Sequence, residues 1–242
     1  MLVSRKAAGT LFMGGAVVTT LASLLYPAML GVQKVNTAQD RVIATPASGA
    51  LTEADRDFVV KMRAAGLWEY AVGQMALEKS RTTAARTAGE HLIDGVASMD
   101  AACRNTAGLL GITLPNQSSP QEQSFVFRLK AESGKQFDTD MVTVVRAASG
   151  RILSTIASVR TTTKNSLIRA LATQANDTVL EHITVMEKTG FVDFDQVVVQ
   201  ETSQPDLPAQ DLTPPPPAAG QPQVVLSPPT NSAVSPSRSA RR

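Results

Sequence analysis

The side chains best suited to metal binding or nucleophilic catalysis are scarce in this chain of 242 residues. It has two histidines, His91 and His182, and one cysteine, Cys103. One cysteine excludes an internal disulfide framework and a zinc site built from several cysteines. Two histidines exclude a three-histidine metal site within one chain. Metal chemistry would therefore need carboxylates as further ligands, and thiol chemistry would need a histidine beside the cysteine.

Neither histidine has the spacing of a carboxylate-bridged metal site in a helical bundle. Such sites combine a glutamate from each of two helices with a Glu-x-x-His pair from each of the other two. Ala88 lies three residues before His91, and Val179 lies three residues before His182. Glu181 is adjacent to His182, and on a helix it points about 100° away. The sequence thus predicts neither metal ligands nor a cofactor.

Cys103 is predicted to be a small buried hydrophobic residue, because it falls on the apolar stripe of its helix. His91 is about 18 Å away along the same helix, too far to act as its base. His91 lies one position off the stripe and is expected at the surface. The sequence contains no Gly-rich phosphate loop, no Gly-x-Ser-x-Gly and no His-Glu-x-x-His. It therefore favours a protein that is not an enzyme.

Four apolar stripes predict the helices that position these residues. Thr52, before Glu53-Ala54-Asp55, has the sequence of a helix N-cap. From there to about residue 190, apolar residues recur at alternating spacings of three and four, as in antiparallel helix packing. The prolines of this span, Pro115 and Pro120, fall in one apparent loop. We therefore predict an all-α fold, an antiparallel up-down-up-down four-helix bundle over residues 51–190.

Polar residues interrupt three of the stripes: Glu69 in the first helix, Ser149 in the third and His182 in the last. We expect Glu69 and His182 to point into the core. In an antiparallel pair of helices their levels would differ by roughly 12 Å, so a shared ligand is not expected. Each is expected to bond to a core hydroxyl or a trapped water. Trp68 is predicted to be an anchor between helices.

Residues 1–33 are predicted to form a membrane anchor or signal segment. Arg5 and Lys6 precede residues 7–33, which carry no charge and exceed the roughly 20 residues that span a bilayer as helix. The apolar run is longer than that of a signal peptide, and no clean Ala-x-Ala follows it. A retained single-pass anchor in the cell membrane is favoured, with secretion after signal cleavage as the alternative. The basic residues before the segment predict that the rest of the chain is extracytoplasmic.

The remaining segments are predicted to lack a core of their own. Residues 34–50 have the composition of a linker, and residues 191–242 that of a disordered tail that holds ten of the fourteen prolines. Such a tail buries too little apolar surface to offset chain entropy. A net charge of +2 gives no electrostatic footprint of a nucleic-acid binder.

The segment predicted to fold resembles a known bacterial family. The run Leu51-Thr52-Glu53-Ala54-Asp55-Arg56-Asp57-Phe58, followed by Gly66-Leu67-Trp68-Glu69, is similar to the start of the bacterial domain of unknown function 4142. Gly111-Ile112-Thr113-Leu114-Pro115 resembles the loop after its second helix, and Ser133-Gly134 through Phe137-Asp138 resembles the segment before its third long helix. The resemblance covers about residues 51–190. It implies a ferritin-like helical bundle in the cell envelope, of unknown activity.

The resemblance also implies histidines that this chain lacks. Relatives usually carry one in the second helix, where this chain has Gly95-Val96, and another in the third, where it has Ser149. His182 matches the pattern. The favoured interpretation is a non-enzymatic, membrane-anchored envelope protein that binds a protein, glycan or lipid, or has a structural role. A degenerate ferritin-like protein with a residual metal-binding or redox role is the alternative.

Overall fold

The computed structural model describes residues 41–202 and 207–228, and the predicted anchor in residues 7–33 lies outside them. This part of the chain is 72% helix in seven helices, which confirms the all-α prediction. One short antiparallel pair of strands, β1 (Val42–Ala44) and β2 (Leu51–Thr52), precedes the helices.

Four of the seven helices are long and three are short. The long helices are α1 (Glu53–Lys79), α2 (Thr83–Leu110), α4 (Gly134–Thr162) and α5 (Ser166–Lys188). The short helices are α3 (Pro120–Ala131), α6 (Phe194–Thr202) and α7 (Ala209–Leu212). Within the described residues, α4 alone is long and apolar enough to cross a bilayer, and 44% of its apolar window is buried in the protein. The core helix of a soluble protein has the same composition.

Local sequence signals set the ends of the helices. The Thr52 hydroxyl accepts a hydrogen bond from the Asp55 N–H, and the Asp55 carboxylate accepts one from the Thr52 N–H. Ser119 and Glu122 form the same capping box at α3. Gly111 ends α2 at φ 67°, a left-handed conformation that favours glycine. The N-cap predicted at Thr52 is confirmed.

Contacts at the helix ends show in which direction each helix runs. Lys79, the last residue of α1, donates hydrogen bonds to the carbonyls of residues 129, 130 and 132. The end of α3 therefore lies beside the end of α1. Asp138, near the start of α4, accepts hydrogen bonds from the N–H groups of Arg81 and Thr82 in the α1–α2 turn. Helix α4 therefore begins where α1 ends.

The start of α5 lies beside the start of α1. Asn165 caps α5 by accepting hydrogen bonds from the N–H groups of Leu167 and Ile168. Its amide also donates to the hydroxyl of Ser48 and the carbonyl of Gly49, shortly before β2. Helices α1 and α5 thus run in one direction, and α2 and α4 run in the other.

The predicted up-down-up-down order is therefore wrong, because the described helices run up, down, down and up. The reason lies in residues 111–133, which the sequence indicated only as a loop and a short helical lead-in. They form a crossover in which α3, about 18 Å long, returns the chain from the end of α2 to the start of α4.

The core consists of two apolar clusters with polar residues between them. One cluster includes Phe58, Met62, Ile156 and Val179, and the other includes Val72, Val145 and Met186. Glu69 lies between Met62 and Val72 in α1, Ser149 between Val145 and Ile156 in α4, and His182 between Val179 and Met186 in α5. These three interruptions of the stripes therefore fall at one level of the core.

Two segments predicted to be linker and tail make specific contacts. The linker contributes β1, and Ser48 contacts Asn165. In the predicted tail, α6 packs against α4, and residues 222–227 bind α1 and the loop after α2, as described below. The structure thus differs from the predicted disorder within residues 191–202 and 207–228. Polar groups on the helices supply hydrogen-bond partners that tail composition alone does not reveal.

Candidate functional site

Glu69 and His182 meet at the polar level of the core. Nδ1 of His182 lies 3.6 Å from Oε2 of Glu69, and both residues are buried. The predicted separation of roughly 12 Å is wrong, because it assumed antiparallel helices. Helices α1 and α5 run in the same direction. Each of the two residues lies sixteen positions after the first residue of its helix, Glu53 or Ser166.

Gly95 of α2 leaves the space that the imidazole occupies. A Cβ at position 95 would overlap Nε2 of His182. Within the described part of the chain, neither ring nitrogen of His182 has a hydrogen-bond partner, nor does the buried hydroxyl of Ser149. The centre is therefore a polar contact packed tightly against the backbone of α2.

This centre does not fit a metal ion. Glu69 and His182 offer two ligands, and Gly95 lies against Nε2, the ring nitrogen that faces away from Glu69. Across residues 41–202 and 207–228, no group of three or more His, Cys, Asp or Glu side chains is placed to hold a metal. The contact between Glu69 and His182 is therefore a polar contact within the core.

Glu69 also borders an open cleft of about 300 Å³ between α1, α3 and α4. Burial raises the pKa of Glu122 in this cleft, hydrogen bonds from Ser119 oppose the rise, and the charge of Glu69 adds to it. Burial lowers the pKa of Arg151 on the opposite wall. The charged lining consists of Lys61, Glu69, Glu122 and Arg151. The cleft thus presents two acidic and two basic side chains.

A second site lies between α1 and α2, where Arg63 and Asp100 form an ion pair whose side chains are almost inaccessible to solvent. The Arg104 Nε lies 2.9 Å from Oδ2 of Asp100. Burial lowers the pKa of Arg63 to about 10, so its guanidinium stays protonated at neutral pH. Because burying two charges costs desolvation, such a pair needs further hydrogen bonds to be tolerated.

The main chain of residues 222–227, which we call the docked segment, supplies two of these hydrogen bonds. Nη2 of Arg63 donates to the Val224 carbonyl at 2.6 Å. Oδ2 of Asp100 accepts the N–H of Leu226 at 3.1 Å. The ion pair therefore binds one acceptor and one donor, two residues apart in the docked segment.

Two side chains beside the ion pair bind the same segment. The amide of Asn116 donates to the Pro222 carbonyl and accepts the Val224 N–H, each at 3.0 Å. The hydroxyl of Tyr70 donates to the Ser227 carbonyl at 2.8 Å. We call the surface formed by Arg63, Tyr70, Asp100 and Asn116 the α1–α2 groove. It binds five main-chain groups of the docked segment.

Leu226 is the buried side chain of the docked segment, with 8% of its surface exposed. It lies above Gly66, where an added Cβ would come within 3.8 Å of its Cδ1. Together with Glu69 and His182 it lines an internal cavity of about 20 Å³, which has room for about one water molecule. The groove therefore recognises main-chain groups and one leucine.

The other residues singled out in the sequence lie as expected. Cys103 is fully buried, and burial raises the pKa of its thiol to about 12, so it is not a thiolate at neutral pH. His91 is exposed, with Nδ1 3.9 Å from Oε1 of Glu181. Trp68 is buried and meets the Phe125 ring edge-to-face at 5.6 Å, which confirms its role as an anchor.

The α1–α2 groove was not predicted from the sequence. Arg63 and Asp100 directly follow the stripe positions Met62 and Met99, and this position on the flank of two stripes could have indicated burial. Asn116 lies in the loop after α2, where a polar residue carries no such signal.

Comparison with protein-family models matches residues 41–189 to a family described as a domain of unknown function, DUF4142. No curated protein and no solved structure matches the chain.

The packing of Gly95 against His182 predicts that Gly95→Ala destabilises the protein. The new methyl group would overlap the imidazole, at an expected cost of about 1–3 kcal/mol in the free energy of unfolding. Gly108→Ala is the matched control, because it lies in the same helix with nothing within 4 Å of its added Cβ. It should stabilise the protein by about 0.5–1 kcal/mol through helix propensity. Denaturant unfolding of the full chain measures both.

A His182→Ala change combined with Gly95→Ala should recover part of the loss, since it removes the overlapping ring. Equal stabilisation by Gly95→Ala and Gly108→Ala would contradict the packing described here.

Proposed function

We propose that this chain, which belongs to the DUF4142 family, is a membrane-tethered, non-enzymatic binding module of the cell envelope. Its helices hold an extended polypeptide segment in the α1–α2 groove. The observation that carries this proposal is the set of five hydrogen bonds between groove side chains and the main chain of residues 222–227.

Binding accounts for the buried charges better than catalysis does. Arg63 and Asp100 are directed at peptide N–H and carbonyl groups, which are ligands and not reacting groups. The Cys103 thiol is buried and protonated, and no described histidine is placed to activate it. A protein segment is therefore favoured as partner over a glycan or a lipid, the other two ligand classes.

The proposed scaffold is a ferritin-like four-helix bundle. Ferritin-like folds differ from simple up-down bundles by one long crossover connection. Residues 111–133 with α3 supply such a connection, and each long helix packs against two neighbours that run in the opposite direction. This arrangement supports the fold without implying the chemistry of its metal-binding members.

The proposed location is the outer face of the cell membrane, with residues 7–33 as a single-pass anchor. The support is the uncharged length of that segment and the basic residues before it. Release after signal cleavage is the alternative, and it would leave the groove unchanged.

A residual metal-binding or redox role is the second candidate function. It is favoured by one observation, the contact of Glu69 with His182 at the centre of the core. The absence of a third ligand among the described residues argues against it.

The first prediction concerns occupation of the groove in solution. The N–H groups of Val224 and Leu226 should exchange slowly with solvent, because both donate to groove side chains. Asn116→Ala should accelerate exchange of the Val224 N–H about five- to tenfold, which corresponds to a bond of about 1–1.5 kcal/mol. Gln117→Ala, an exposed neighbour, is the matched control and should change nothing. Exchange at unfolded-chain rates in the wild-type chain would contradict the binding function.

The second prediction concerns topology. A membrane-impermeant maleimide should label Asn105→Cys in intact spheroplasts, because Asn105 is exposed on α2 and α2 is predicted to be extracytoplasmic. Ser4→Cys, placed before the anchor, should react only after the membrane is permeabilised. The native Cys103 is buried, so labelling of the wild-type chain gives the background signal. Labelling of Ser4→Cys alone in intact spheroplasts would reverse the proposed orientation.

The third prediction concerns the metal alternative. Iron, manganese or zinc should leave the melting temperature of the wild-type chain unchanged, since two ligands hold a metal weakly. Glu69→Leu combined with His182→Leu should leave the chain folded, within about 1–2 kcal/mol of wild type, because apolar replacement of a buried polar pair is often neutral. A metal-dependent rise of several degrees in the wild type, lost in the double variant, would favour the ferritin-like function.

A further inference from the structure

We infer that the α1–α2 groove recognises an extended, uncharged polypeptide segment of a partner protein, and that residues 222–227 occupy it in cis as an internal competitor. This inference rests on the proposed binding function and adds the chemistry of the partner. It is carried by the contacts of the docked segment, which show what the groove selects.

The groove selects the extended conformation. The bonded groups are the carbonyl of Pro222, both main-chain groups of Val224, the N–H of Leu226 and the carbonyl of Ser227. Four of these five bonds fall at the alternate residues 222, 224 and 226, a spacing that favours a strand-like chain, whose successive side chains point to opposite sides. Accordingly Leu226 is buried, whereas its neighbour Val225 is 56% exposed.

The groove also selects one side chain. Leu226 packs over Gly66, and the cavity beneath it has room for about one water molecule, so a much longer side chain would not fit and a charged one would lose its hydration. Residues 221–228 carry no charged side chain. The partner segment is therefore uncharged, with a leucine two residues after the residue whose carbonyl meets Arg63.

The buried ion pair of Arg63 and Asp100 is better suited to recognising a particular polypeptide segment than to attaching a tail. Apolar side chains of similar volume would hold a tail as firmly, because a buried ion pair seldom adds net stability. Arg63 and Asp100 instead fix which main-chain groups bind and in which direction the strand runs. That specificity is useful where different segments compete for one groove.

The docked segment can be exchanged because its attachment is local. Most of its side chains are exposed, and most of residues 213–221, which connect it to α7, are exposed too. A segment of the same chemistry from another molecule would make the same contacts. The cis segment therefore competes through its high effective concentration, and a partner displaces it with further contacts or at high local concentration.

The test uses a fluorescent peptide with the sequence of residues 219–228 and the full chain in detergent micelles. Leu226→Asp places a charge at a position that is only 8% exposed, where burying it costs desolvation, and should release the cis segment. Val225→Asp is the matched control, with the same charge one residue earlier on the exposed side. The peptide should bind Leu226→Asp at least tenfold more tightly than wild type or Val225→Asp. A peptide with aspartate in place of the leucine should bind none of them.

A second measurement does not depend on the stability of the variant. Excess peptide added to the wild-type chain should accelerate solvent exchange of its own Leu226 N–H, as the cis segment is displaced. The aspartate peptide should have no effect at the same concentration.

The outcomes separate this inference from the proposed function. Slow exchange of Val224 and Leu226 in wild type, with no peptide binding to a folded Leu226→Asp chain and no displacement, would overturn the inference and leave the binding function standing. Fast exchange in wild type would overturn the proposed function itself. If the wild-type chain forms dimers and Leu226→Asp abolishes them, the occupant of the groove is a second copy of this chain. That outcome would overturn the inference that a different partner protein binds there.

Discussion

The buried carboxylate of Asp138 fixes where α4 begins, and the direction of every later helix follows from that contact. Its Oδ2 accepts hydrogen bonds from two N–H groups in the α1–α2 turn and from the Thr82 hydroxyl. Helix α4 must therefore run away from that turn, and after a three-residue connection α5 must run back beside α1. This parallel course brings Glu69 and His182 to one level, and Gly95 leaves the space that the imidazole occupies.

Buried polar groups in this chain lie where apolar packing is interrupted, and burying each of them costs desolvation free energy. Glu69, Ser149 and His182 separate two apolar clusters, and among the described residues the Ser149 hydroxyl and both ring nitrogens of His182 have no hydrogen-bond partner, so most of their desolvation is not offset. Arg63 and Asp100 lie at the edge of the core, where the main chain of the docked segment supplies partners. The edge pair binds the main chain of the docked segment, whereas Glu69 and His182 contact each other.

Features that depend on residues close together in the sequence could be predicted. The N-cap at Thr52, the burial of Cys103 and the anchoring role of Trp68 depend on neighbours within a few turns of one helix. Helix direction was not predictable, because apolar periodicity is the same whichever way a helix runs. The groove was missed since its contacts join residues 106 to 161 positions apart. Proline content alone therefore suggested disorder for a segment that binds the helices.

The groove and the polar centre are physically linked through Leu226. Its side chain closes the cavity of about 20 Å³ that Glu69 and His182 line from the inside, a volume for about one water molecule. While the docked segment is bound, Leu226 covers this cavity on the side of the groove. Glu69 also borders the open, charged cleft between α1, α3 and α4, so its carboxylate lies between that cleft and the cavity under Leu226.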